Sequence, residues 1–350
     1  MDNKEENMSL FDEKENLTSV LDSIDDLLNR QMDKFIELQE KKQRKLNTGV
    51  LGGINEKYFI RIDDKDYLFK YVNSDKDYSD FGEVITSQIA NFLGIECVKS
   101  VFSNDFYDKD RKGTLISSYR TDDINEVLSL KSLLIKYGKN SININHDVNE
   151  AMEVCEEFSK EFDIVLDNKI EQRLKEMALL DFLLVQVDRN SKNIEFLIKE
   201  KDGKKNLELA PIFDNGYCMS FHTSKLTNKM TLNNLKNQRN YDEVILHRPR
   251  FCILKNEHRG DDADHFVTSD LAEELLKNRN LMEIYLKFKK INIEKYFDYV
   301  VKDSKRNIPN VYKETAISLI RYRIKTLDIE LLKQSIRTNF IEDKGEDLCE

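Results

Sequence analysis

The 350-residue chain reads as an α+β protein of two lobes, a small antiparallel sheet followed by a mainly helical body. Three observations predict this. Short runs rich in Tyr, Ile, Phe and Val, divided by polar turns, fill residues 58–119. Apolar residues at helical spacing dominate from Ala151 onward. Between them, residues 177–217 (MALLDFLLVQVDRNSKNIEFLIKEKDGKKNLELAPIFDNGY) read as an apolar helix, a polar loop and a hairpin. A chain that is 40% hydrophobic can fill a core of this size.

Composition removes several function classes. A net charge of −10 argues against direct nucleic-acid binding, which demands a basic surface. The five cysteines (97, 155, 218, 252 and 349) are scattered and form no C-x-x-C, so neither a zinc site nor a disulfide framework is suggested. The N-terminus, MDNKEENMSLFDEKEN, is acidic and is no signal peptide, and no apolar run is long enough for a membrane span. A reducing cytoplasm is the expected location, with delivery into another cell left open.

Residues 1–16 have the composition of a disordered segment. Leu17, Leu21, Ile24, Leu28, Phe35 and Leu38 then recur near helical spacing. That stripe is either an accessory helix packed on the body or a docking surface for a protein partner. The basic run Lys41, Lys42, Arg44 and Lys45 reads as a solvated helix end. The expected division is 1–46 for this leader, 47–119 for the sheet lobe, 120–340 for the helical lobe and 341–350 for a tail.

Gly49, Gly52 and Gly53 free the backbone to approach a ligand, and N–H groups in such a loop can wrap phosphates; the same glycines suit any hairpin entry. Strands are expected at 58–62 and 67–72. Lys70 falls inside the second, so it either meets an anion or guards an exposed edge. A helix opens around Phe81-Gly82-Glu83-Val84 and closes at Gly94. Glu83, in its first turn, either pairs with Lys70 or favours the helix dipole. Residues 95–102 and 114–119 read as further strands. The polar stretch after TLISSY resembles a connector whose backbone, at Ser118 and Tyr119, could bond a nucleobase.

His146 is isolated and reads as a surface residue. After Gly216 a long polar segment, 217–265, carries Ser220, Thr223, Ser224 and Thr227 near its start; it is either an activation loop with phosphorylation sites or a variable surface loop. His247, His258 and His265 are too loosely spaced for a metal site. The tail reads as helices, with Ser269 or Asp270 as a cap and fraying after Thr338.

The chemistry concentrates at Asp188, Asn193 and Asp214, which end buried elements of one helix–loop–hairpin unit. Phosphoryl transfer needs a carboxylate to orient a hydroxyl and oxygen ligands for Mg2+. An Asp five residues before an Asn has the catalytic-loop spacing of kinases, and an Asp-x-Gly after the next strand supplies a second metal ligand. The same residue types serve ordinary turns. Both motifs in this order favour a kinase, and with it a two-lobed protein-kinase-like fold with a small antiparallel-sheet N-lobe and a mainly helical C-lobe.

These residues resemble the HipA-like serine/threonine kinases, the bacterial family of persistence toxins and related effector kinases. The match lies in LLDFLLVQVDRNSKNIEFL and LELAPIFDNG, against the family's apolar helix, D-x-H-x-K-N and L-A-P-x-[YF]-D. The resemblance implies Asp188 as catalytic base, Asn193 and Asp214 as Mg2+ ligands, Lys70 on the ATP phosphates, and Glu83 as the acid opening the following helix. VLGGINEK resembles the family's S-x-x-G-x-x-x-K, with Gly53 and Lys57 in register. It implies ATP and Mg2+ as cofactors and a protein Ser/Thr hydroxyl as acceptor. Asn190 stands where the family usually has His, and Val50 where some members carry an autophosphorylated serine, with Thr48 nearby. The chain resembles the shorter type that lacks the full N-terminal subdomain. A lipid or small-molecule kinase, or a nucleotide-binding interaction module engaging a partner through Leu17–Leu38, remains the alternative.

Overall fold

The computed structural model describes residues 43–45, 56–74, 76–121, 123–139, 146–201, 203–237, 251–252 and 263–346. The Leu17–Leu38 stripe, Gly52 and Gly53, His247 and His258 lie outside the described residues.

Five strands form the first sheet: β1 (Gln43–Lys45), β2 (Lys57–Ile62), β3 (Lys65–Tyr71), β4 (Ser100–Asn104) and β5 (Lys112–Ser117). Their order is β1-β2-β3-β5-β4, and every neighbouring pair is antiparallel. Alternation along β2 and β3 gives the sheet two faces. Tyr58, Ile60, Ile62, Tyr67, Phe69 and Tyr71 close a small buried cluster on one. Lys57 and Phe59 from β2, with Leu68 and Lys70 from β3, take the other, and Lys57 pairs directly with Lys70.

Helix α1 (Ser79–Leu93) follows β3 and stops at Gly94, whose φ of 84° suits a residue without Cβ. Thirteen of its fifteen residues are buried. The strand expected at 95–102 begins only at Ser100. Ile95 and Val98 are buried, but their stretch partners a different element: Cys97 bridges Ile212 in parallel, Ile212 N–H donates to the Glu96 carbonyl (3.0 Å), and Val98 N–H to the Ile212 carbonyl (2.9 Å).

The second sheet is mixed. It takes β6 (Ile124–Ser129), β8 (Val165–Leu166), β9 (Glu195–Lys201) and β10 (Lys204–Leu209) in the order β6-β9-β10-β8, with β8 parallel to β10. Around it lie α2 (Leu130–Lys136), β7 (His146–Asp147), α3 (Val148–Phe162) and α4 (Ile170–Leu183). His146 is not on the surface. It is buried, with Nδ1 2.9 Å from Glu150 Oε2, because β7 pairs with β11 (Phe251–Cys252) and Asp147 caps α3.

Residues 217–237 do not form an open polar loop. Met219 N–H donates to the Leu184 carbonyl at 2.9 Å, Ser220 is buried, and Phe221 stacks between Phe81 and Phe297. The Ser224 hydroxyl then accepts from Thr227 N–H (3.1 Å) and caps α5 (Lys225–Lys236). Ser220 is thus held inside the fold while Ser224, exposed, serves as a helix cap, a division that sequence composition could not distinguish from a solvated loop. Four further helices complete the body: α6 (Ala263–Lys277), α7 (Arg279–Lys289), α8 (Ile293–Asp303) and α9 (Asn310–Glu346). Ser269 and Asp270 therefore lie inside α6 rather than capping it, and α9 runs past Thr338. One large core joins α1, α3, α4 and α7–α9 through Phe81, Val154, Leu180, Tyr285, Phe297 and Tyr312.

Candidate active site

Lys70 is the centre of the site. Its Nζ donates to Glu83 Oε1 and to Asp214 Oδ1, each at 2.7 Å. Glu83 uses its other oxygen to accept from the Asn215 N–H at 2.9 Å. The approach of α1 that makes this contact requires Gly82. A Cβ there would stand 2.8 Å from the carbonyl oxygens of both Asn215 and Gly216. Burial disfavours the Lys70 ammonium, but the Glu83 and Asp214 carboxylates outweigh it and hold its pKa above the usual lysine range. Asp214 is likewise opposed by burial, yet Lys70 keeps it below the usual carboxylate range. Asp214 has a φ of 55°, a left-handed conformation uncommon for a residue with a side chain.

The loop after α4 is bound to this centre through two residues. Gln186 donates from Nε2 to the Asp214 carbonyl (3.1 Å) and accepts from Asp188 N–H through Oε1 (3.0 Å). Arg189 is fully buried. Its Nε donates to Asp181 Oδ2 (2.9 Å), its Nη2 to Asn215 Oδ1 (2.6 Å), and its Nη1 to the Phe213 carbonyl. The two loops that carry Asp188 and Asp214 are therefore fastened to one guanidinium, which presents five donors in a fixed fork.

Asn193 donates from Nδ2 to the Asp188 carbonyl at 2.8 Å, and Asn190 donates to Asp188 Oδ1 at 3.3 Å. Asn190 thus sits where a residue steering the Asp188 carboxylate would sit. The Tyr217 phenol is raised by burial and then by the Asp188 charge, with Lys70 opposing and Asp214 adding.

A cavity of about 510 Å³ opens over the centre, within the range of small-molecule sites. Lys57, Lys70, Asp214, Lys192 and Asn193 give it a polar end. Phe59, Leu68, Val98, Ile116 and Phe213 give it apolar walls, and Ser118, Tyr119 and Arg120 close it beside the connector. The Ser118 N–H donates to the Asp66 carbonyl at 2.9 Å. Asp188 is tied to this wall through Asn193 and is not part of it. Burial lowers the Lys57 pKa, with Asp214 pulling it up and Lys70 down, so an arriving anion would meet two adjacent amines.

The solved structure of CtkA, a Helicobacter pylori proinflammatory kinase, superposes on this chain with a TM-score of 0.57, covering 84% of this chain and 97% of CtkA at 18% identity. The fold is kinase-like. HipA of Shewanella oneidensis MR-1, from a toxin–antitoxin complex with HipB and operator DNA, aligns over 83% of this chain and 74% of its own, with a TM-score of 0.48 and 11% identity. Aminoglycoside phosphotransferase APH(4)-Ia aligns over 84% and 98%, with a TM-score of 0.25 and 10% identity. Neither a protein-family model nor a curated protein sequence matches the chain. The kinase-like fold expected from residues 177–217 is the fold observed.

The structure brings Lys70, Glu83 and Asp214 into direct contact and puts Asn193, Ser118 and Tyr119 around the same cleft. Sequence reasoning missed Gln186, Arg189 and Asp181. One signal was present: Asp181 interrupts the apolar run LLDFLLV eight residues before Arg189, and a buried carboxylate calls for a cation. Gly82, inside a helix, was a second signal, of close backbone approach.

Proposed function

We propose that this chain is a HipA-like kinase that transfers the terminal phosphoryl group of ATP to a serine or threonine hydroxyl of a protein. The single observation that carries the reading is the Lys70 ammonium bridging Glu83 and Asp214 at the polar end of the cleft. Such an ammonium, oriented by a buried acid, suits contact with phosphate oxygens. In this reading residues 47–119, together with β1 (Gln43–Lys45) that joins their sheet, are the N-lobe and 120–340 the C-lobe.

Asp188 accepts the proton of the acceptor hydroxyl, and Asn190 holds its carboxylate. Asn193 and Asp214 fit a hard cation. Both are oxygen donors on one wall, and Asn193 spends its Nδ2 on the Asp188 carbonyl, which leaves its amide oxygen for a ligand. Mg2+ held there would offset charge on the phosphoryl oxygens. Lys57 and Lys192 add positive charge at the same end. The fold likeness to CtkA, itself named a kinase, favours phosphoryl transfer, and the HipA-like motif around Asp188 favours a protein acceptor.

The test is phosphoryl transfer from gamma-labelled ATP to cellular protein. Asp188→Asn should lose about a hundredfold to ten-thousandfold in rate while keeping its melting temperature. Labelling at the wild-type rate would remove Asp188 from the role. Comparing phosphopeptides from cells expressing wild type and Asp188→Asn identifies the acceptors, and an effect confined to lipids or small molecules would refute the protein substrate.

A further inference from the structure

We propose that Glu195 reads the sugar of the bound nucleotide, its carboxylate accepting hydrogen bonds from the ribose hydroxyls of a nucleoside triphosphate. The assignment rests on the cleft being a nucleotide site, and it names the group that would separate ribonucleotides from their deoxy counterparts.

Glu195 is the first residue of β9 and lines the cavity among Phe59, Leu68, Ile116 and Phe213. Its side chain is only 16% exposed. Oε2 accepts from the Tyr119 hydroxyl and lies 3.7 Å from Arg120 Nη2, on a side chain more than half exposed. Oε1 has no hydrogen bond among the described residues. Burial and then the Glu195 charge hold the Tyr119 phenol far above its ordinary pKa, so it stays a donor and keeps the carboxylate in place. A carboxylate held in place with one oxygen uncommitted on the cleft wall is open to a donor from the ligand.

Its location selects the donor. Glu195 lies two residues beyond Asn193 at the polar end, and its Oε2 meets the Tyr119 hydroxyl of the connector, so it stands between the phosphate end and the connector. In a nucleoside triphosphate the sugar occupies that step, with the base beyond it. A negative group there repels phosphate oxygens and requires O–H or N–H donors. The ribose diol offers two adjacent O–H groups, the chemistry that acidic residues recognise in dinucleotide sites.

The experiment is calorimetric titration of the full chain with Mg-ATP and with Mg-2′,3′-dideoxy-ATP. Wild type should bind ATP at least about tenfold more tightly, the worth of a charge-assisted hydrogen bond. Glu195→Leu should bring the two ligands within about twofold of each other by weakening ATP alone. Glu195→Gln keeps an acceptor and the side-chain volume, and should fall between; it carries the test if the leucine variant does not fold. Tyr119→Phe should also reduce the ratio, because Glu195 loses its anchor. An undiminished ratio in both Glu195 variants overturns the proposal while leaving the nucleotide site intact. A change in the ATP-to-ITP ratio with no change in the ribose ratio overturns it too, since the carboxylate would then read the base. Wild type binding neither ligand would sink the nucleotide reading itself.

Discussion

Two ion-pair centres lie one residue apart along the chain at Asp214 and Asn215, and they differ in what surrounds them. The Arg189–Asp181 centre is dry, with side chains 0% and 1% exposed. The Lys70–Glu83–Asp214 centre opens on the cleft, with Lys70 12% and Asp214 37% exposed. The chemistry of attraction is the same, but the roles separate. A sealed pair can only hold backbone segments in register. A pair with an open side can exchange one partner for a ligand without leaving a charge stranded in the interior.

The sharpest way to break the comparison is to cut each centre. Arg189→Leu strands the Asp181 carboxylate and should cost about 3–5 kcal/mol in urea unfolding. Adding Asp181→Leu should recover much of that loss, since replacing both partners removes the uncompensated charge. Failure of the double variant to recover would mean that the Phe213 and Asn215 contacts carry the cost instead.

Lys70→Met should act mainly on the ligand. Saturating Mg-ATP at a hundred times its dissociation constant should stabilise wild type by about 2.7 kcal/mol and leave this variant unmoved. Gly82→Ala should come next. Its methyl group meets two backbone carbonyls, and relief by shifting α1 costs about 1–3 kcal/mol. Phosphoryl transfer should fall with it, because Glu83 retreats from Lys70; full activity would show that this spacing is not critical.

The smallest effect is a pH slope at a third buried carboxylate. Burial pushes Asp80 up to about 6 against the pull of Arg306, and its Oδ1 has no hydrogen bond among the described residues. The folded state therefore holds that proton to higher pH than the unfolded chain, whose ordinary value is 3.8. The native state binds more protons between about pH 4 and 6, so this group's contribution to stability declines as pH rises through that window and is level above it. Asp80→Asn should flatten the slope, read as unfolding midpoints at several pH values.

The kinase-like fold was legible because its elements announce themselves locally. Gly94 ends a helix, β2 and β3 alternate, and the loop from Asp188 to Asn193 keeps a motif spacing. What escaped is long-range. Nothing in the sequence says that Glu83 meets Asn215, 132 residues away, or that Arg189 reaches back to Asp181 and forward to Phe213. Local composition also misled at His146 and at Ser220, because a polar side chain with an internal partner looks the same in sequence as a solvated one. The apolar stretch before Ser100 read as strand for a related reason: its buried backbone pairs with Ile212, far along the chain, rather than with its neighbours in the first sheet.

Helix α1 ends up with no wet stripe. Phe81 is wedged against Phe102 and Phe221, the Tyr296 hydroxyl donates to Gln88 at 2.7 Å, and Arg306 reaches Asp77 and Asp80. An element gripped on every side cannot swing outward without tearing open the interior, so the acid it delivers behaves as a fixture of the architecture and not as a dial.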